Sequence, residues 1–238
     1  MKRDLQRLQG NNWQNSILKQ LKINIFFWFY LAFLLIGFFV NLIFSQQQIF
    51  FWVNTRNSHF LDTIMPYITD IGDGLFCVLI CILILFVVNI RLGLALISTY
   101  ALEGIAVQVL KQFIFKDRPR PWAAYVDKYP VHLVPDFTPY SNNSFPSGHT
   151  TTIFCMAALF ILVFPKMKGI WQLLLFLLAL LVAYSRIYLS QHYFVDVYVG
   201  SIAGILSSWL IYYYFYKYRY NSKRHFPWLD RTLLNLKK

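Results

Sequence analysis

The strongest constraint on this chain is a series of apolar runs, most of them close to the roughly 20 residues that a helix needs to cross a bilayer. The first runs from Ile23 to Phe44. Others fall at about Ile68 to Ile90, Leu92 to Phe115, Thr150 to Phe164, Gly169 to Leu189 and His192 to Tyr216. Lipid offers backbone amides no hydrogen-bond partner, so runs of this length must satisfy their own N–H and C=O groups as helices. With 58% of 238 residues hydrophobic, 19% aromatic and only 13% charged, the composition is not that of a soluble domain. The pattern predicts an all-α polytopic membrane protein with six transmembrane helices in residues 23–216. Basic tails flank it at 1–22 and 217–238.

Charge sets the orientation. Fifteen of the 22 Lys and Arg residues fall in the tails, at Arg91 and at Lys166 and Lys168, which places those segments and both termini in the cytoplasm. The first helix is expected to be retained rather than cleaved, because it is longer than a signal-peptide core and Ser45-Gln46-Gln47-Gln48 carries no small-residue cleavage pattern. Residues 45–67 mix Phe50, Phe51 and Trp52 with Asn54, Arg56 and Asn57, which suits an interfacial segment that does not span. Helix three should stop near Asp117, ahead of Arg118-Pro119-Arg120-Pro121. The long connection 118–145 is of a length usually reserved for function. The apolar part of helix four is short, so its start is placed at Ser147. A net charge of +12 does not imply nucleic acid here, since the cations sit in tails and membrane-flanking loops. Cys77, Cys81 and Cys155 lie in apolar runs without metal-ligand spacing and read as packing residues.

Against this background one stretch stands out, Ser185-Arg186-Ile187-Tyr188-Leu189-Ser190-Gln191-His192-Tyr193-Phe194-Val195-Asp196. It puts a cation, an imidazole and a carboxylate at the seam of two apolar runs, where uncompensated polar groups are costly. If the chain is helical from His192, then His192 and Asp196 share a face and the carboxylate can bond one ring nitrogen, leaving the other free to attack. The proposed topology brings two further features to the same side: Lys111 and Arg118 at the end of helix three, and Ser147-Gly148-His149 at the start of helix four. Lys111 as a point charge, Arg118 and Arg186 as forked donors and the amides around Ser147 and Gly148 suit a phosphate gripped from several directions. Two histidines then divide phosphoryl transfer, with His192 as nucleophile and His149 as acid and base. Fixed cations take the electrostatic role of a metal, so no metal and no cofactor is expected.

Lys111-(six residues)-Arg118-Pro119, Pro146-Ser147-Gly148-His149 and Ser185-Arg186-(five residues)-His192-(three residues)-Asp196 resemble the tripartite signature of the type 2 phosphatidic acid phosphatase superfamily, in its membrane-bound lipid phosphate phosphatase branch. The motif segments are 111–119, 146–149 and 185–196. The resemblance implies a helical core like that of acid phosphatases and vanadium haloperoxidases. It implies metal-independent hydrolysis of a lipid phosphomonoester or diphosphate through a phosphohistidine. It assigns catalysis to His192, His149 and Asp196, and phosphate binding to Lys111, Arg118, Ser147, Gly148 and Arg186. Candidate substrates are undecaprenyl diphosphate, phosphatidylglycerol phosphate, phosphatidic acid and lipid A phosphates. The expected setting is the outer face of a cytoplasmic membrane, with membrane lipids as the partners. A phosphotransferase of the same fold and a non-catalytic lipid-anion carrier are the rival readings. Glu103 is expected to serve as a structural partner within the bundle, and Asp70 and Asp73 are read as ordinary outer-loop acids, with lining of the site's mouth as the alternative. Arg120 is left open between a head-group contact and a loop anchor.

Overall fold

A computed structural model describes residues 24–218 and 226–235, so the first tail and part of the second lie outside the described residues. All the regular structure there is helical. The order is α1 (Ile25–Ile43), α2 (Gln46–Asn54), α3 (His59–Asp70), α4 (Gly74–Val87), α5 (Ile90–Val109), α6 (Pro121–Tyr125), α7 (Gly148–Val163), α8 (Gly169–Tyr188) and α9 (Phe194–Tyr212). Helix α5 continues in a π-helical turn, Leu110–Ile114, and α9 in another, Tyr213–Tyr218.

Among the described residues, four helical stretches are long and apolar enough to cross a membrane: Ile25–Ile43, Ile90–Ile114, Gly169–Tyr188 and Phe194–Lys217. A fifth candidate is the pair α3 and α4, bent by 52° at the break between them. Six uniform spans are therefore not established. Helix α7 has 16 residues, a rise of about 24 Å against a hydrocarbon core of about 30 Å. Its side chains explain the shortfall, because most of them are buried against other helices rather than turned to lipid. The peripheral α1 is the opposite case, with Trp28, Leu35, Ile36, Leu42 and Ile43 each more than half exposed.

The second span also departs from the expected Ile68 to Ile90. Ser58 caps α3 through its hydroxyl, which accepts the Leu61 N–H, and Asp73 caps α4 by accepting the Leu75 N–H. These two caps start separate helices in a stretch that hydropathy alone divides into an interfacial segment and a continuous span. Arg91, counted among the cytoplasmic cations, is only 4% exposed. It is held by both carboxylate oxygens of Asp230, at 2.6 and 3.1 Å, and donates to the Phe215 carbonyl at 3.2 Å.

The core of the bundle is α7 packed between α5, α8 and α9. Small residues set that spacing. A Cβ on Gly200 of α9 would sit 2.8 Å from the Ser147 carbonyl oxygen and 3.1 Å from Thr151 Oγ1. Glycine at this position lets the start of α7 rest directly on α9. The Ser147 N–H can then donate to the Asp196 carbonyl at 3.1 Å. Glu103 of α5 is 2% exposed and accepts the hydroxyl of Thr152 on α7 at 2.6 Å, which provides the bundle partner expected for it. The three cysteines are buried and unbridged.

Candidate active site

The C-terminus of α8 builds the His192 end of the candidate site. Ser190 takes a left-handed conformation, φ 57°, in the position after the helix cap. The Gln191 N–H then reaches back to the Arg186 carbonyl at 3.0 Å, and the Ser190 N–H to that of Ile187 at 3.0 Å. This is a Schellman closure, with serine where glycine is usual. The His192 N–H donates to the same Arg186 carbonyl at 3.1 Å, so one carbonyl fixes both Gln191 and His192.

Helix α9 starts at Phe194, two residues later than expected, so His192 and Asp196 do not share a helix. They still meet. His192 Nδ1 lies 3.6 Å from Asp196 Oδ2, inside ion-pair distance but too long for a hydrogen bond. The carboxylate is occupied by shorter contacts: it accepts the Tyr193 N–H at 2.9 Å and the Ser144 hydroxyl. Burial first, and then the charges of Arg120, Arg186, Lys111 and His149, hold the His192 imidazole well below its ordinary proton affinity. At neutral pH it is uncharged, as a nitrogen nucleophile must be.

The cations do not all stand where spacing predicts. Arg186 is buried, donating to Thr69 Oγ1 of α3 at 2.6 Å, and its Nε has no partner. Arg118 is one-third exposed, 3.6 Å from Asp196 Oδ1 and above the Phe145 ring. The guanidinium beside Nε2 of His192 belongs to Arg120, whose Nη1 is 3.3 Å away. Arg120 is 7% exposed and is locked by Gln191 Oε1 at 2.6 Å and the Asn142 carbonyl at 2.8 Å. Burial lowers it to about 10, which leaves it charged at neutral pH.

The shift from Arg118 to Arg120 has a geometric cause. In an unbroken helix a residue seven positions after Lys111 returns to nearly the same face. Here helical structure stops at Ile114, and Asp117 turns the chain through a left-handed φ of 61°. Residues 118–120 then run alongside 141–144, with Arg120 N–H donating to Ser141 at 2.8 Å and Ser144 N–H to Arg118 at 3.1 Å. That pairing carries Arg120 inward. It also delivers Ser144 to Asp196, which no spacing rule foretells.

Ser147 caps α7, its hydroxyl accepting the Thr150 N–H at 3.4 Å. The first-turn N–H groups of Gly148 and His149 lack intrahelical acceptors by position and form an anion-binding end. His149 Nε2 lies 3.8 Å from Asp73 Oδ2, which puts Asp73 beside a candidate site residue rather than in an unrelated loop. Lys111, Arg120, Arg186 and Asp196 are near enough to feel one another's charge. The structure thus brings together Lys111, Ser147, Gly148, His149, Arg186, His192 and Asp196, with Arg118 at the carboxylate side. Ser144, Gln191 and Thr69 join them without having been singled out. Arg120 and Asp73 join them too, residues that the sequence left between a contact at the site and an ordinary loop role. The one available signal was the doubled Arg-Pro of residues 118–121, which offers two candidate arginines.

The loop 118–145 is tied down from three sides. Asn54 and His132 exchange two backbone-to-side-chain bonds at 2.9 Å, His132 Nε2 contacts Asp62 at 2.8 Å, and Tyr188 donates to Asp62 at 2.5 Å. An apolar cavity of about 690 Å³ between α1, α2, α8 and α9, lined among others by Phe33, Trp52, Tyr184 and Phe194, shares no residue with this polar site.

Comparison with known proteins agrees with the geometry. The chain is 26% identical over 189 residues to an undecaprenyl-diphosphatase of Sulfolobus acidocaldarius, covering 76% of this chain and 84% of that protein. It is 30% identical over 117 residues to a lipid A 1-phosphatase of Rhizobium etli, 48% of this chain and 46% of that protein. The crystal structure of Aquifex aeolicus LpxE matches with a TM-score of 0.59 at 28% identity, over 71% of this chain and 96% of that one. A transmembrane phosphatidylglycerolphosphate phosphatase from Bacillus subtilis shares the fold, with a TM-score of 0.58 at 23% identity over 77% of this chain and 92% of that one. The PAP2 superfamily model matches residues 92–220, which contain every motif described above. With fold, apolar helices and family model in agreement, this chain belongs to the PAP2 superfamily, among its membrane-embedded phosphatases.

Proposed function

We propose that the chain hydrolyses a lipid phosphomonoester or diphosphate at the outer face of a cytoplasmic membrane, by way of a phosphohistidine on His192. The observation that carries this reading is the neutral, buried imidazole whose Nε2 faces Arg120 while Nδ1 faces Asp196. In the first step Nε2 attacks phosphorus, the P–O bond to the lipid breaks, and His149 gives a proton to the departing oxygen. In the second step His149 takes a proton from water. The water oxygen bonds to phosphorus, and the P–N electron pair returns to Nε2. Lys111, Arg120, Arg186 and the amides of Gly148 and His149 bind the equatorial oxygens, where charge builds up. Arg118 and Ser144 hold the Asp196 carboxylate. The relatives' names point to undecaprenyl diphosphate, a lipid A phosphate or phosphatidylglycerol phosphate as the substrate.

The test is phosphate release by purified protein in micelles from a panel of these lipids. With radiolabelled substrate, acid quenching should leave an acid-labile label on the wild-type protein and none on His192→Ala. Turnover without any label on wild-type protein in rapid-quench sampling would overturn the covalent route. Release should persist in EDTA, and loss restored by added metal would contradict the use of fixed cations. A cysteine at Tyr125 should react with an impermeant thiol reagent from outside; labelling only after permeabilisation would invert the orientation.

A further inference from the structure

His149 has a carboxylate neighbour of its own. Its Nε2 lies 3.8 Å from Asp73 Oδ2, the two side chains being 27% and 47% exposed, while the other Asp73 oxygen accepts the Leu75 N–H at 2.8 Å. One oxygen is committed to the start of α4 and the other faces the imidazole. The bend that carries Asp73 is seated on His149 as well: a Cβ on Gly72 would lie 3.0 Å from the His149 carbonyl oxygen and 3.2 Å from its Cβ. The other charges facing His149 are all cations, Arg186 from α8, Lys111 from the π-helical turn and Arg120 from the loop, with neutral His192 behind them. Asp70, on the same bend, faces Arg186 and Asp73. Burial first, and then the three cations, disfavour the charged form that a general acid must carry. Asp73 supplies the opposite charge from the mouth of the site.

We infer that Asp73 is the positioning residue of the second histidine: its carboxylate faces the Nε2 side of the His149 ring, keeps the imidazole protonated and leaves the Nδ1–H to serve the leaving oxygen. The inference rests on the reading of His149 as the acid. As the P–O bond breaks, its electron pair goes to the lipid oxygen and the Nδ1 proton follows. Asp73 is then left beside a neutral imidazole able to accept a proton from water.

The test uses leaving-group dependence. Asp73→Asn removes the charge and keeps the cap, since asparagine caps a helix as well as aspartate does. Asp73→Ser, a second uncharged cap, serves as its check. Each purified protein is given two phosphomonoesters with the same tail, an alkyl phosphate and a nitrophenyl phosphate whose leaving group departs without proton help. Both variants should lose about tenfold or more in kcat on the alkyl ester and less than about threefold on the nitrophenyl ester. Equal loss on both esters would mark Asp73 as merely structural, and no loss on either would mark it as idle; both outcomes overturn the inference. His149→Gln, run alongside, should show the same asymmetry. Its absence there sinks the acid role of His149 itself, whereas asymmetry in His149→Gln without it in Asp73→Asn sinks only the part given to Asp73.

Discussion

The site holds two histidine–carboxylate pairs that differ in almost everything but composition. His192 and Asp196 are buried, and each is fixed by backbone: His192 through the Arg186 carbonyl, Asp196 through the Tyr193 amide. His149 and Asp73 are partly exposed, and their contact spans α7 and the α3–α4 bend. The contrast follows from what each histidine is proposed to do. A nucleophile must be uncharged, dry and held in one direction, which burial among cations and a rigid helix closure provide. An acid and base must exchange protons with a leaving group and then with water, so it stands at the open side.

This comparison breaks first at His192. Replacing it by Ala should reduce phosphate release by about 10⁴-fold or more, because no other nitrogen holds that position. Activity above that level with correct membrane insertion would remove His192 from the sealed role. The two arginines come next. Arg120→Ala should cost about 10² to 10³ in kcat, as expected for a donor facing developing charge, and Arg118→Ala about tenfold, since Arg118 reaches the site only through Asp196. Steady-state kinetics on the two variants decides between them, and the reverse order would restore Arg118 as the phosphate clamp. Ser144→Ala should cost less again, about three- to tenfold, through loss of one hydroxyl bond to the Asp196 carboxylate. A loss as large as that of Arg120→Ala would mean Ser144 touches the substrate.

The smallest effect is a flat one. His192 is held below its ordinary proton affinity, so nitrogen NMR of histidine-labelled protein should place its midpoint well below about 6.5. Linkage gives the same sign for stability: between the folded and unfolded midpoints the unfolded chain binds the extra proton. The contribution is therefore complete above about pH 6.5 and is lost as pH falls. A midpoint at or above that value would mean that the nucleophile is not sealed.

Much of this molecule was legible in its sequence. Apolar runs located helices at 25–43, 90–114, 169–188 and 194–217, because the length of a hydrophobic run is read directly against bilayer thickness. The break at residues 71–73 was not legible, because a glycine and a capping aspartate inside an apolar region look like a tolerated interruption until a second helix is seen packing there. The shortness of α7 was visible, but its reason was not, since only packing shows that α7 is wrapped by other helices. Within the site, Lys111, His149, Arg186, His192 and Asp196 could be singled out by their chemistry. Ser144 could not, and Arg120 could be named but not given a place, because both depend on a backbone pairing between residues 118–120 and 141–144.

By itself the sequence determined that the chain must live in a membrane as helices, and that a cluster of cations and imidazoles must find one another there. Local composition is enough for that, since hydrophobicity and uncompensated charge act residue by residue. Tertiary structure decided which arginine faces His192, which carboxylate faces His149, and how dry each histidine is. Those properties depend on where the chain turns: at Asp117, at Ser190 and at Gly72-Asp73, one residue of rotation decides which side chain points inward.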